Sequence, residues 1–386
     1  MNKEYYSFLM ETKIIYGSGS VDQLGLIAKE KGAKRVVLVT DSGVKKTGLI
    51  EKIQNNLKEH GIDNKLFEEI ELSSSTETVD KGAKLIHQKK YDLIVAIGGG
   101  SSIDTAKAIS VVVTNGGKCL DYAGSNKVKK PGMEVIALPT TAGTSAEITD
   151  VAVIADRSSN ARIGIRSPYI VPSLAILDPL LTVTMPSQIT ASTGMDALSH
   201  AIESYTNTYT EAPTEVLALE AIQRIGANLC HAVANGTNLE ARDNMLMGSL
   251  LAGLAFRNTR LGLLHAITGP FCGYYEVPHG VANSVLLPYV MDFNLKGNLD
   301  KFANIASALG ISITNLSRRE AAQASVTAIR QLLVDVGLPV SFKSMNLDPT
   351  LIPTIASQAI KSGNIAINTR IPKVEDIIAI CEESFQ

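Results

Sequence analysis

The stretch LIVAIGGGSSIDTAK, residues 93–107, decides the fold. Leu93–Ile97 is five apolar residues without polar alternation, too short for a helix. It predicts a strand buried on both faces, as strands of parallel sheets are. Gly98-Gly99-Gly100-Ser101-Ser102 follows at once, and a helix is expected from Ile103. Glycines between a strand and a helix let the backbone approach a phosphate, whose charge suits the helix's free N–H groups and dipole. The same signature also makes a plain tight turn, and by itself the stretch leaves both readings open.

Working outward, Arg35–Thr40 (RVVLVT), Lys65–Ile70 and Val135–Leu138 read as further strands, with a helix over Leu49–His60 between the first two. Strands alternating with helices predict an α/β domain with a mostly parallel, Rossmann-like sheet. From about Pro186 the pattern changes to long helices: Ser192–Tyr205, Pro213–Ala234, Leu239–Arg257, Leu299–Leu309 and Arg318–Val336. The expected organisation is therefore an α/β domain over 1–185 and an all-α domain over 186–386. Two polar positions lie just past predicted strand ends. Asp41 follows RVVLVT, where a carboxylate either accepts hydrogen bonds from an adenosine ribose or merely ends a turn. Pro139-Thr140-Thr141-Ala142-Gly143-Thr144 offers three hydroxyls beyond the strand at 135–138. Gly17-Ser18-Gly19-Ser20 is a weaker glycine loop and reads as a turn.

Composition excludes several classes. The formal net charge of −2, with both signs mixed along the chain, offers no basic field for nucleic acid and no polybasic membrane patch. The longest apolar run, Met245–Phe256, is too short to span a bilayer and reads as a buried helix. Cys119, Cys230, Cys272 and Cys381 are scattered and form no CxxC pair, which suits free thiols. The start, MNKEYYSFLMETK, is broken by charges and lacks a signal-peptide core, so a cytoplasmic protein is expected.

Asp196 and His200 stand four apart in a helical stretch and so share one face. His265 and His279, two others of the six histidines, share the segment LLHAITGPFCGYYEVPHGVAN. His265 falls at the end of an apolar helical run, where a histidine is often a satisfied core residue. His279, between a proline and a glycine, suits a rigid turn presenting a ligand. Three imidazoles and one carboxylate suit Fe²⁺ or Zn²⁺ better than Mg²⁺ or Ca²⁺, without identifying the metal.

The motifs GGGSSIDTAK (98–107), PTTAGT (139–144), TGMDALSHAIE (193–203) and HAITGP…PHGVAN (265–283) occur in one order and spacing. Through them the chain resembles the iron-containing (group III) alcohol dehydrogenases over essentially its whole length. The resemblance implies the two-domain architecture shared with dehydroquinate synthase, a metal in the cleft, NAD(H) as cofactor and a homodimer. It places the metal ligands on Asp196, His200, His265 and His279. Pyrophosphate contacts fall on Gly98, Gly99, Gly100 and Ser101, with Asp104 in the same loop, and nicotinamide-side contacts on Thr140, Thr141 and Thr144. Asp41 takes the position whose carboxylate favours NAD(H) over NADP(H). The departures are Gly269, where the family usually has a further histidine, Ser73-Ser74-Ser75 for an asparagine–proline loop, Ser145-Ala146-Glu147 after Gly143-Thr144, and Asn368-Thr369-Arg370 for Asn-Pro-Arg.

Substrate choice is expected to depend on Phe256, Arg257, Arg260 and Gly269. Relatives generally carry small or neutral residues where the two arginines stand. Two guanidiniums beside a metal ligand would suit an anionic aldehyde such as sulfoacetaldehyde, phosphonoacetaldehyde or a short semialdehyde; alternatively they face solvent or pair with acids. Neutral aldehydes or diols, such as lactaldehyde and 1,2-propanediol, are the other substrate reading. A metal- and NAD-dependent lyase of the dehydroquinate synthase type, and a non-catalytic binding protein suggested by Gly269, are the rival classes.

Overall fold

The computed structural model describes residues 6–70, 74–157 and 161–386, with Ala161 by its backbone alone. Ser73 and the first five residues of the amino-terminal stretch lie outside the described residues. Among the described residues there are nine strands: β1 (Lys13–Tyr16), β2 (Arg35–Asp41), β3 (Asp63–Ile70), β4 (Leu93–Gly98), β5 (Gly124–Ser125), β6 (Val135–Pro139), β7 (Val151–Asp156), β8 (Ala161–Arg166) and β9 (Leu174–Leu177). Six of them form one parallel sheet in the order β1-β9-β6-β4-β2-β3. The other three make a small second sheet in which β7 and β8 run antiparallel. That antiparallel pair was not anticipated from the sequence, nor were β1 and β9.

Side chains of β2 alternate between the two faces of the large sheet. Val37 and Val39 enter one core cluster with Ile94, Ala96 and Ile109. Val36 and Leu38 enter the other with Val95, Ile97, Ile50 and Leu57. Burial on both faces is the reason the central strands read as unbroken apolar runs. The helices of this unit are α1 (Leu24–Glu30), α2 (Ser42–Lys45), α3 (Leu49–Glu59), α4 (Thr76–Lys89) and α5 (Gly100–Asn115). From β2 the chain moves outward to β3, returns past β2 to β4, and then proceeds the other way to β6 and β9. The strand order thus reverses between β2 and β4. The crevice outside their carboxyl ends is the switch point at which open α/β sheets bind ligands.

The second unit carries no strand among its described residues. It consists of α6 (Ser187–Thr206), α7 (Ala212–Ala234), α8 (Leu239–Thr259), α9 (Leu263–Tyr275), α10 (His279–Asn294), α11 (Leu299–Ala308), α12 (Arg318–Asp335), α13 (Ile352–Ala359) and α14 (Val374–Glu383). Chain contacts divide the molecule into Met10–Met185 and Pro186–Gln386. Residues 6–9 pack with the helical unit, not with the sheet unit in which the 1–185 reading puts them. Leu9 donates its N–H to Asn258 Oδ1 (2.6 Å) and accepts from Asn258 Nδ2 (3.2 Å). Among the described residues no helix is long and apolar enough to cross a membrane.

Candidate metal centre and cofactor loops

α6 is buried on almost every side, with Asp196 2% and His200 5% exposed. Asp196, His200 and Glu203 fall at i, i+4 and i+7 of this helix and therefore project together. The other two predicted donors begin helices. α8 stops at Thr259, and Arg260 adopts φ +67°, a left-handed value that breaks the helix. A new helix, α9, starts at Leu263, so His265 lies in its first turn and not at the end of a helical run as the sequence suggested. His279 is likewise the first residue of α10 rather than part of a turn, with Pro278 before it. Gly280 is glycine because a Cβ there would come within 2.5 Å of the Ser192 carbonyl oxygen on α6.

Asp196, His265 and His279 offer ligand atoms that all lie within 4.8 Å of one another. The Nε2 atoms of His200, His265 and His279 stand 3.7, 3.9 and 3.8 Å from Asp196 Oδ1. Bonds of about 2.1 Å to a four-coordinate ion separate neighbouring ligand atoms by about 3.4 Å, so the set has nearly that spacing before any ion draws it in. His200 stands to one side of the three-residue group, stacked on His265 (ring centroids 4.7 Å apart) and against Phe256 (4.6 Å). Asn283 Nδ2 sits at the point of convergence, 2.6 Å from Asp196 Oδ1 and 3.1 Å from the Nε2 atoms of both His265 and His279. Asn283 Oδ1 is buried without a hydrogen-bond partner. One carboxylate and three imidazoles at this spacing are a donor set that fits a divalent cation such as Fe²⁺ or Zn²⁺. Burial pushes the Asp196 carboxyl up, but the three imidazoles and the Asn283 amide outweigh it and hold the group below its ordinary range. The side chain of His279 is 34% exposed against 8% or less for the other three donors, so solutes reach the set from the His279 side.

Two further residues of this centre, Glu203 and Asn283, end the motifs at 193–203 and 265–283, and their spacing alone does not reveal a role. Glu203 Oε2 lies 2.6 Å from His265 Nδ1, and Oε1 accepts the Leu264 N–H at 2.6 Å. Asn368 Oδ1 accepts the neighbouring Leu263 N–H at 3.0 Å. Gly262 must be small here, since a Cβ would meet Asn368 Oδ1 and Glu203 Oε1, each at 2.8 Å. Arg370, the end of the variant Asn-Thr-Arg, stacks on the Phe293 ring at 3.8 Å and donates to the Phe293 carbonyl. Arg260 is exposed, its guanidinium against Gly363, and Arg257 is half-buried. Around Gly269, one turn beyond His265, nothing lies within 4 Å of where a Cβ would be. Gly269→Ala should therefore stabilise the protein by about 0.5–1 kcal/mol through lower unfolded-chain entropy, read from denaturant midpoints.

The sheet unit gathers the other predicted residues at the switch point. Gly98 has φ +145°, and a Cβ on it would stand 2.4 Å from Ser102 Oγ and 3.2 Å from Asp41 Oδ2. Cβ atoms on Gly99 and Gly100 would press on Thr141 (3.2 Å) and Thr144 Oγ1 (2.9 Å). Thr140 donates its N–H to the Gly98 carbonyl at 3.0 Å, and Ser101 lies in the first turn of α5. Asp41 caps α2 through Oδ1 (2.8 Å to Gly43 N, 3.1 Å to Val44 N) and accepts from Ser102 Oγ at 3.1 Å on Oδ2. Gly17–Ser20 forms a turn after β1, at the far edge of the sheet. Of the serine loop, Ser75 accepts from Thr78 N as the cap of α4.

Asp104 faces the protein. Its Oδ2 accepts from Val153 N (3.0 Å) and its Oδ1 from Lys107 Nζ (3.2 Å). The fully buried Lys107 also donates to the Ala146 and Val151 carbonyls and to Thr149 Oγ1, tying α5 to the chain after the threonine loop. Glu147 is buried beside this cluster, and burial pushes its carboxyl from 4.5 to about 7 despite the Lys107 charge. A folded-state value above the unfolded one gives stability that is complete below about pH 4.5 and is lost as pH rises through about 7. Glu147→Gln should flatten that fall in denaturation curves recorded between these pH values, and an unchanged slope would count against the assignment.

A dinucleotide-type switch point on one unit and a carboxylate–imidazole donor set on the other define a metal-dependent dehydrogenase. Family models agree: "Iron-containing alcohol dehydrogenase" matches residues 11–179, and "Fe-containing alcohol dehydrogenase family, C-terminal" matches 190–385. The chain is 37% identical to the 1,3-propanediol dehydrogenase of Klebsiella pneumoniae, covering 100% of both, and 38% identical to the NAD-dependent methanol dehydrogenase of Bacillus methanolicus, covering 98% and 99%. Its structure matches a 1,3-propanediol oxidoreductase with TM-score 0.96 at 37% identity, covering 99% of this chain and 100% of the other. It also matches the sulfoacetaldehyde reductase of Bifidobacterium kashiwanohense in complex with NAD⁺, with TM-score 0.91 at 28% identity and 100% of both covered. The chain belongs to the iron-containing alcohol dehydrogenase family, and the lyase and non-catalytic readings are set aside.

Proposed function

We propose that the protein interconverts a short aldehyde and its alcohol with NAD(H), using Fe²⁺, or Zn²⁺ in its place, held by Asp196, His200, His265 and His279. The observation that carries this reading is the convergence of three imidazole Nε2 atoms within 3.7–3.9 Å of Asp196 Oδ1. When bound, the ion supplies Lewis acidity toward a substrate oxygen and the nicotinamide supplies or accepts hydride. The chain's own groups bind and orient. Gly98, Gly99, Gly100 and Ser101 offer backbone N–H groups to the pyrophosphate. Thr140, Thr141 and Thr144 line the nicotinamide side, and the Asp41 carboxylate receives the adenosine ribose. Asp104 supports the loop from within.

An anionic aldehyde is the preferred substrate, drawn by Arg257 and Arg260 at the end of α8. The half-buried position of Arg257, next to the Phe256 that touches His200, supports this. Neutral short alcohols and diols form the second reading, favoured by the 1,3-propanediol and methanol relatives. NADH oxidation by anaerobic, Fe²⁺-loaded protein should separate them, comparing propanal, 3-hydroxypropanal and lactaldehyde with sulfoacetaldehyde, phosphonoacetaldehyde and succinic semialdehyde. A large kcat/KM preference for one anionic aldehyde, lost in Arg257→Ala or Arg260→Ala, supports the first. Comparable rates on the neutral set sink it. Gly269→His, for which the structure has room, should add a new ionisation to the pH–rate profile if this position governs proton movement.

The protein is proposed to act in the cytoplasm as a homodimer without nucleic-acid or membrane partners. The exposed side chains of Tyr6, Phe8, Leu9 and Met10 support self-association, and the four free thiols suit a reducing compartment. Sedimentation would read the dimer directly.

A further inference from the structure

We infer that Glu203 is the positioning residue of the metal centre: its carboxylate fixes both the tautomer of His265 and the start of the helix that carries it. This rests on the metal reading of Asp196, His265 and His279. Two donors meet the carboxylate, the Leu264 N–H on Oε1 and His265 Nδ1 on Oε2, each at 2.6 Å. The other ring nitrogen faces the Asn283 amide, with Nδ2 3.1 Å from His265 Nε2. A carboxylate only accepts and an amide N–H₂ only donates, so both neighbours demand the same tautomer. The proton sits on Nδ1 and the Nε2 lone pair points at the donor set. Imidazole ligands need that state, and a carboxylate on the far nitrogen also raises their basicity.

Glu203 is buried (3% exposed), as an acidic residue seldom is without a task. Its second oxygen answers a different need. The first N–H groups of a helix have no partner within it, and α9 begins at Leu263 inside the protein. Asn368 takes the Leu263 N–H and Glu203 the Leu264 N–H. The two caps separate the roles, because only Glu203 also touches the histidine. Glutamine at 203 keeps the size but has a single acceptor oxygen for two donors. Either Leu264 N–H loses its partner, or the amide N–H₂ turns to His265 Nδ1 and drives the proton to Nε2, where it blocks ligation.

The test uses the full-length protein and Co²⁺ alone as probe, with dissociation constants from chelator competition and melting temperatures of the metal-free forms. Glu203→Gln should weaken Co²⁺ binding 10- to 100-fold, the usual cost of losing such a partner, and should alter the visible Co²⁺ spectrum. Asn368→Ala should lower the melting temperature but leave the dissociation constant within about threefold, a change of about 0.65 kcal/mol or less. Glu203→Asp, which keeps two acceptors, should bind Co²⁺ more tightly than Glu203→Gln. Equal Co²⁺ affinity in wild type and Glu203→Gln overturns the inference while leaving the metal site standing, as does equal weakening by Asn368→Ala. A wild-type protein that binds no Co²⁺ overturns both this and the metal reading. Should Glu203→Gln not fold, ¹⁵N-histidine spectra of the metal-free wild type decide: the signal lost in His265→Gln must show a proton on Nδ1, and one on Nε2 overturns the inference.

Discussion

Asp196→Ala is expected to lower kcat/KM for the aldehyde by about three to four orders of magnitude, with loss of bound metal. The carboxylate is the hub of the donor set: all three imidazole Nε2 atoms stand within 3.7–3.9 Å of its Oδ1, and Asn283 donates to the same atom. It is also the only anion among the four predicted ligands, so its loss leaves a dication facing neutral imidazoles alone. Lewis acidity contributes several kcal/mol of transition-state stabilisation, and each 1.36 kcal/mol is tenfold in rate, which sets the scale. The fold should survive. α6 is buried over most of Thr190–Thr206, and alanine is a good helix former, so the melting temperature of the metal-free variant should stay within a few degrees of wild type. Retention of metal and of most activity in Asp196→Ala would remove the donor-set reading.

The sheet unit was legible because its centre is buried twice over. β2, β4 and β6 are central strands with apolar residues on both faces, and such runs ending in glycine, proline or aspartate announce themselves without periodicity. β1 and β9 were not read because each is four residues long and depends on its sheet neighbour, not on its own pattern. β7 and β8 are hidden similarly: alternation along Val151–Asp156 has meaning only once the antiparallel partner is known. In the helical unit, the donor residues were legible from type and spacing, but the start of α9 was not. The apolar stretch between Arg260 and His265, Leu261–Leu264, is too short to announce a new helix, and what ends α8 is the positive φ of Arg260, not a proline. Glu203 escaped for the opposite reason. An acid one turn past a helical histidine ordinarily faces water, and only its distant neighbours, Leu264 and His265, show that this one does not.

Asp41→Ser should shift cofactor preference, raising the ratio of kcat/KM for NADPH over NADH by about two to three orders of magnitude. Two effects act in the same direction. Hydrogen bonds from ribose hydroxyls to a carboxylate contribute about 1.5–3 kcal/mol, and NADH loses part of that stabilisation in the variant. A carboxylate about 4 Å from a 2′-phosphate repels it by up to about 4 kcal/mol at an effective dielectric of 20, and the variant removes that repulsion. Serine is the appropriate replacement because Asp41 has a structural duty as well. Its Oδ1 caps α2 through the Gly43 and Val44 N–H groups, and serine is among the best residues at that position. The Gly98 approach to Asp41 Oδ2, 3.2 Å from where a Cβ would be, becomes roomier and not tighter. The outcome therefore reads recognition and not folding. If kcat/KM falls alike for both cofactors, Asp41 is only the cap of α2, and discrimination against the 2′-phosphate has to be sought elsewhere on the rim of the switch point.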